Sequence, residues 1–274
     1  MPTTDPSARV SAHYGAGGIG ARILAALAAA GVDTNALTPD ILAPIDQFHT
    51  RGLEATLAQA ALAAPRSDTH VLDVGCGIGG PARWLAAHYG CRVTGIDLTE
   101  EFIAVARMLT ERCRLADRVE FRQGSALELP FADATFDLAW CQNVTMNIAD
   151  KARLYREIRR VLKPGARFTS TDMAAGPAGA PHFPLPWARE PSISFLVPEA
   201  EMRRLIEAAG FRIVEWRNSS TAAVATQTAT FQARTGRLGV TLVAGDDFPE
   251  RSANATRSVA EGRLVNLTIL AEAA

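Results

Sequence analysis

Between residues 70 and 172 the chain alternates short apolar runs with longer segments of helical spacing. Residues 71–74, 92–96, 119–123, 137–141 and 166–172 read as strands. Residues 81–89, 99–114 and 149–162 read as the helices between them. Pro81 suits a first helical turn. Thr99 is a candidate cap, with Glu100 and Glu101 favourable near the positive end of its helix. Lys163-Pro164-Gly165 stops the third helix. Strands separated by helices of this length predict βαβ units and a parallel sheet. Upstream, residues 21–30 form a helix closed by Gly31, Thr38-Pro39 opens a short turn or helix, and residues 52–64 form a helix ended by Pro65. Downstream, residues 174–191 are rich in Gly, Ala and Pro and read as a lid or linker. A helix over 198–209, a strand over 211–216, a mostly helical stretch over 218–262 and a final strand over 264–270 complete the prediction.

With 274 residues and 48% hydrophobic content, the chain can bury one large α/β core. The expected division is a helical cap segment, 1–66, followed by a ligand-binding domain, 67–274, with inserted lid segments 174–197 and 218–262. Lys and Arg number 28 against 29 Asp and Glu, so no basic surplus favours a nucleic-acid partner. The first residues lack a basic start followed by an apolar run, and no signal peptide is expected. The longest apolar stretch, 23–30, is too short to span a bilayer. Cys76, Cys91, Cys113 and Cys141 are spaced for neither a disulfide framework nor a zinc site. Reduced thiols, a cytoplasmic location and no metal are the expectation.

The strongest chemical signal is Val71-Leu-Asp-Val-Gly-Cys-Gly-Ile-Gly-Gly80. A strand enters a glycine turn, and a helix follows. Gly75, Gly77 and Gly79 let the backbone turn sharply and let a ligand lie against it. Such a ligand sits at the carboxyl ends of the strands. Gly75, Gly77 and Gly80 also fit a dinucleotide fingerprint, so the glycines alone do not decide the ligand. Asp73 is more informative: its carboxylate can face an ammonium group and would repel a pyrophosphate. S-adenosylmethionine (SAM) carries an ammonium and a sulfonium, and no phosphate. Asp97 ends the second strand, where a carboxylate can accept two ribose hydroxyls. Leu98 can pack on an adenine face, and Gly124-Ser125-Ala126 can read its edge. Gln142 and Asn143 follow the fourth strand, where reacting groups should meet.

In this order the motifs resemble class I SAM-dependent methyltransferases, in particular the small-molecule group that includes sarcosine/dimethylglycine, tocopherol, ubiquinone/menaquinone and natural-product enzymes. The resemblance covers roughly residues 45–215. It implies that Asp73, Gly75, Cys76, Gly77 and Gly79 surround the methionine part of SAM. It places Asp97 on the ribose, Leu98 beside the adenine, and Ser125 and Ala126 at the adenine edge, with Gln142 also near the cofactor. It implies a Rossmann-like seven-stranded sheet, mostly parallel, with helices on both faces and the last strand antiparallel. Phe48-His49-Thr-Arg-Gly52 is similar to a His-x-Gly stretch that closes over SAM in relatives, with one extra residue here. Several relatives carry a His-His pair after the fourth strand; this chain has Thr145 and Met146.

Methyl transfer from a sulfonium is an in-line displacement that needs positioning and exclusion of water above all. A neutral amine needs no strong base, whereas a phenol or alcohol usually does. The missing His-His pair favours an amine nitrogen or activated carbon over oxygen, with His49, Gln142 and Asn143 as catalytic candidates and His182 as an alternative base. Tyr14, Gln47, His49, Met146, Phe183 and Trp187 are candidates for binding a small-molecule acceptor, by cation–π attraction or stacking where they are aromatic. A nicotinamide oxidoreductase, or a SAM-binding protein that does not methylate, are the competing readings. A homo-oligomer is compatible with all three.

Overall fold

Period-two alternation in the strands decides how the sheet is covered. The computed structural model describes residues 9–10, 13–14, 17–225 and 237–274. The strands are β1 His70–Val74, β2 Arg92–Asp97, β3 Val119–Gln123, β4 Phe136–Gln142, β5 Leu162–Ala175, β6 Phe211–Asn218 and β7 Leu264–Ala273. The helices are α1 Ile19–Ala29, α2 Pro39–Asp46, α3 Leu53–Ala63, α4 Gly80–Tyr89, α5 Glu100–Arg112, α6 Lys151–Val161, α7 Glu199–Ala208, the single turn α8 Thr241–Ala244, and α9 Phe248–Ala260. One seven-stranded sheet has the order β3-β2-β1-β4-β5-β7-β6. The first five strands pair in parallel, and β7 runs antiparallel between β5 and β6. The fold expected from the sequence is the one observed.

Leu72, Val74, Ala139 and Cys141 enter one core, while Val71, Val93, Leu138 and Trp140 enter the core on the opposite face. Both faces are apolar, so both need helices. Leu154 and Ile158 of α6 and Met202 and Ile206 of α7 cover the first. Ala60 of α3, Leu85 of α4 and Ile103 of α5 cover the second. The cap segment expected over 1–66 therefore supplies one helix, α3, directly to the sheet. Strand order reverses between β1 and β4, which opens a crevice beyond their carboxyl ends.

Local chemistry sets several boundaries. The Ile41 amide donates to the Thr38 hydroxyl at the start of α2 (3.3 Å), and the Arg153 amide donates to Asp150 at the start of α6 (2.9 Å). Thr99 stands at the N-cap of α5, but its side chain makes no capping bond. Its own amide donates to Asp97 (2.9 Å). Glu101 reaches out of α5 to accept the Gly17 and Ile19 amides (2.8 and 2.9 Å), so it caps α1. Lys163-Pro164-Gly165 lies inside β5 rather than before it. The segment is a bulge: Phe136 pairs with Leu162, and the next partners are Leu138 and Arg167.

Within 218–262, residues 220–225, α8 and α9 are helical; 226–236 lie outside the described residues. Of the expected lid segment, residues 174 and 175 end β5 and residues 176–190 form an irregular segment after it, in which Leu185, Trp187 and Ala188 pack with Ala255 and Val259 of α9. No helix among the described residues is long and apolar enough to cross a membrane.

The N-terminal helices roof the crevice. Ile19, Ile23 and Leu27 of α1 and Leu42 and Ile45 of α2 pack with Ile78, Phe102, Leu109 and Val243. One buried guanidinium ties this roof down. Arg83 on α4 donates to Asp46 at the end of α2 and to the Ile78 carbonyl of the glycine turn, both at 2.8 Å. It also reaches the Ala106 carbonyl and the Thr110 hydroxyl of α5 (3.2 Å each). Burial pushes the Asp46 carboxyl above its ordinary range, and Arg83 opposes that shift. Removing one partner of a buried pair strands the other charge, at a cost of roughly 3–5 kcal/mol. Asp46→Asn should therefore lower unfolding free energy by about that amount in urea titration. The double change Asp46→Leu with Arg83→Met should cost less than the single one; a loss in the single variant no larger than in the double would show that the pair is not the tie.

Candidate active site

Beyond the carboxyl ends of β1, β2 and β4 lies a cavity of about 480 Å³. Its floor is the turn after β1. Gly75 and Cys76 donate their amides to the Ile96 carbonyl of β2 (2.8 and 3.0 Å), and Gly79 donates to the Cys76 carbonyl (2.9 Å). These bonds fold the turn tightly. Gly75 and Gly77 have φ of 69° and 53°, which L side chains rarely adopt. A Cβ on Gly75 would lie 2.5 Å from Val144, and one on Gly77 would lie 2.7 Å from Phe48. Both neighbours also line the cavity. Gly79 sits one step behind the wall, where a Cβ would strike Phe121 at 2.4 Å. Its contribution is the left-handed N-cap of α4 rather than ligand contact.

Two carboxylates share this corner. Asp73 is 2% exposed, and its Oδ2 has no hydrogen-bond partner. Burial, with the Asp97 charge second, pushes its pKa up to about 8. Asp97 accepts the Gly77 amide on Oδ2 and the Thr99 amide on Oδ1, both at 2.9 Å. Burial raises its pKa as well, and those backbone bonds oppose the rise. A carboxylate has about four acceptor positions, so Asp97 retains capacity for hydroxyl donors. A desolvated carboxyl with no protein cation, above a floor of glycines, fits a ligand that brings its own cation and lies flat on the backbone. SAM is such a ligand. Asp73 would face its ammonium, Asp97 its ribose hydroxyls, and Gly75 and Gly77 would leave room for it. Cys76 lines the same wall, and burial, with Asp97 and Asp73 adding to it, holds its thiol protonated.

Leu98, Ser125 and Ala126 line the same cavity as Asp97. The Ser125 hydroxyl accepts the Leu127 amide (3.2 Å), so it both shapes its own turn and borders the cavity.

On the other side of the floor, His49, Gln142 and Asn143 come together. The Trp140 indole donates to Gln142 Oε1 (2.9 Å), and the Thr56 hydroxyl of α3 lies 3.3 Å from the same oxygen. Gln142 Nε2 is buried with no partner. Thr56 also lies 2.7 Å from Gln47 Oε1 and 3.2 Å from His49 Nε2, and that nitrogen is 3.0 Å from Gln47 Oε1. Gln47 is thus the buried support of His49 and does not line the cavity. His49 Nδ1 lies 3.4 Å from the Thr50 carbonyl, so both ring nitrogens have protein partners. Asn143 has φ 54°, a conformation asparagine tolerates, and its amide brackets Thr50 through two contacts of 3.3 Å.

Tyr14, Met146 and Trp187 also line the cavity. The Tyr14 hydroxyl donates to Asn147 Oδ1 (3.0 Å), and Asn147 donates to the Trp187 carbonyl (2.9 Å). Burial raises the Tyr14 pKa, and Asp97 adds to the rise. Phe183 packs against the core shared by residues 185–188 and α9, away from the cavity wall. His182 faces outward and pairs with Glu261 at 2.8 Å.

Several wall residues were not singled out by the sequence: Thr50, Asn147, Arg189 and Arg251. Their positions depend on how distant segments dock. The one local signal was the i, i+4 spacing of Asp247 and Arg251, which ordinarily marks an exposed helix pair.

Residues 72–169 match the family model described as a methyltransferase domain. The fold and the geometry of this corner agree with that match. The chain is 42% identical to sterol 24-C-methyltransferase ERG6B of Gibberella zeae, over 36% of this chain and 26% of that one. It is 32% identical to O-methyltransferase resE of Aspergillus sclerotiorum, over 61% of each chain. The chain spans about a third of the length of several curated relatives it matches. Geranyl diphosphate C-methyltransferase of Streptomyces coelicolor A3(2) has the same fold, with a TM-score of 0.70, 18% identity and full coverage of both chains.

The Asp73 carboxyl sets a pH dependence for binding. With a pKa of about 8 in the free protein, it is largely protonated at pH 7. A ligand ammonium lowers that pKa, so binding below about pH 8 releases a proton, and affinity rises with pH by up to tenfold per unit. Above about pH 8 the ligand's own α-ammonium deprotonates and affinity falls again. Calorimetric titration with S-adenosylhomocysteine in two buffers of different ionisation heat should show proton release at pH 6.5–7.5 in this protein and none in Asp73→Asn. Proton uptake, or no exchange, in the unmodified protein would refute the ammonium contact.

Proposed function

We propose that this protein is a cytoplasmic enzyme that transfers a methyl group from SAM to a small-molecule acceptor. The observation that carries this reading is the partnerless Asp73 oxygen, desolvated beside Asp97 above a glycine floor. A nicotinamide dinucleotide would bring a pyrophosphate to a corner of two acidic side chains and no cation to answer the partnerless Asp73 oxygen. The four cysteines are unbridged, in keeping with a cytoplasmic setting.

When bound, SAM supplies an electrophilic methyl on a cationic sulfur; the acceptor's electron pair forms the new bond, and sulfur keeps the pair from the old one. The chain's own residues supply position. Trp140 and Thr56 fix Gln142, whose Nε2 remains to orient a bound group. Asn143 holds the 47–52 loop against the end of β4 through Thr50. Trp187, Phe102 and Phe248 close the chamber with apolar surface and limit water. Tyr14 donates its proton to Asn147 and holds it tightly, and His49 is engaged at both nitrogens. Neither is poised as a base, which supports an acceptor that needs little deprotonation, a neutral amine or an activated carbon, over a hydroxyl.

Scanning fluorimetry should show a higher Tm with SAM or S-adenosylhomocysteine and no shift with NAD. Asp97→Ala should weaken S-adenosylhomocysteine at least tenfold, about 1.4 kcal/mol. Stabilisation by NAD instead would sink the assignment. Once an acceptor is found by transfer of labelled methyl from SAM, pH–rate profiles should keep their shape in His49→Ala and His182→Ala. A limb lost in either variant would identify that histidine as the base.

A further inference from the structure

The two walls of the cavity carry opposite charge. Asp73 and Asp97 stand at the strand ends, and Asp46 is already paired with Arg83. The wall formed by 186–189, α8 and α9 carries Arg189 and Arg251. Arg251 is 2% exposed. Its Nη1 donates to the Pro186 carbonyl (2.9 Å), and its Nη2 donates to the Ala244 carbonyl and to Asp247 Oδ1 (3.0 Å). Its Nε is buried and has no partner. Arg189 pairs with the other oxygen of the same Asp247. One carboxylate therefore answers two guanidiniums. His13 lies beside them with Nε2 at 3.2 Å from the Pro186 carbonyl, and burial, with both arginines contributing, lowers its pKa. Val10, Trp187, Val243 and Phe248 surround the arginines with apolar surface.

A buried guanidinium N–H without an acceptor is costly, and so is surplus positive charge where two guanidiniums share one carboxylate. Both costs are relieved by an anion that accepts charge-assisted hydrogen bonds. A cationic amine would instead meet repulsion here. Resting on the methyl-transfer reading above, we propose that the acceptor is an apolar molecule bearing a carboxylate or phosphate, and that Arg251 and Arg189 hold this group as a handle. The donor's cation and the acceptor's anion then belong to opposite walls, which fixes the acceptor's orientation before any reacting atom is considered.

The test uses octanoate, octyl phosphate, octylamine and octanol as probes on the full chain, with and without saturating S-adenosylhomocysteine, read by calorimetry and scanning fluorimetry. At least one of the two anions should bind ten or more times tighter than the amine and the alcohol. The tighter of octanoate and octyl phosphate identifies the handle as carboxylate or phosphate. Arg189→Gln should weaken that anion several-fold and Arg251→Gln at least tenfold, with S-adenosylhomocysteine affinity unchanged in Arg189→Gln. If Arg251→Gln does not fold, the exposed Arg189→Gln decides alone. Equal or tighter binding of octylamine or octanol, or anion affinity untouched by Arg189→Gln, overturns the proposal. Failure of S-adenosylhomocysteine to bind would defeat the methyl-transfer reading separately, since the anion titrations without it still stand.

Discussion

Two carboxyl groups lie desolvated in one corner of the sheet, and among the described residues neither forms an ion pair. Asp73 and Asp97 each raise the other's electrostatic cost, and Asp73 keeps one oxygen entirely without a partner. Nothing about folding favours this arrangement. It persists because the rest of the sheet holds the two strand ends side by side: β1 pairs with β2 from His70–Arg92 to Val74–Ile96, so the carboxyl ends emerge together. The turn that follows must then fold back over β2, and its bonds to Ile96 and Asp97 require left-handed backbone at Gly75 and Gly77. Local stability is lowered at the place where a cationic ligand can restore it.

The rest of the chamber is built by polar ties between elements far apart in sequence. Arg83 joins α2, the glycine turn, α4 and α5 around one guanidinium. Glu101 closes the start of α1. Asn143 clamps Thr50, and Thr56 links the Gln47–His49 pair to Gln142 and so to Trp140. Apolar packing of the roof is non-directional. These bonds set its register against the strands.

That difference explains what could be read from the sequence. The strands, the intervening helices and the glycine turn are encoded within a few residues each, and the structure reproduces them. Asp73, Asp97, Leu98 and Ser125 were legible because each lies immediately after or within a strand end. Gln47 and Phe183 were nominated as members of irregular segments expected to line an acceptor pocket, yet one stands behind His49 and the other packs away from the cavity. His182 was chosen for its chemistry and pairs outward with Glu261. Arg251 reads as a surface residue of an amphipathic helix, because its burial is decided by the docking of 186–189 onto α9. Thr99 stands at the N-cap position its composition indicated, but its side chain accepts no helix amide.

The matched domain, 72–169, contains the floor and both acidic strand ends. Tyr14, His49, Trp187, Arg189, Phe248 and Arg251 all lie outside it and make up much of the opposite wall. A parallel sheet with its switch point between β1 and β4 dictates where a nucleoside can lie, so the residues around that point are constrained by the fold itself. The opposite wall has no such constraint: it is assembled from an N-terminal segment, a loop after β5 and a helix before β7, each free to vary in length and side chain. Relatives whose names specify carbon and oxygen acceptors match 36% and 61% of this chain. Likeness in 72–169 speaks to the donor. In the proposed function, choice of the acceptor falls to the wall that carries the arginines.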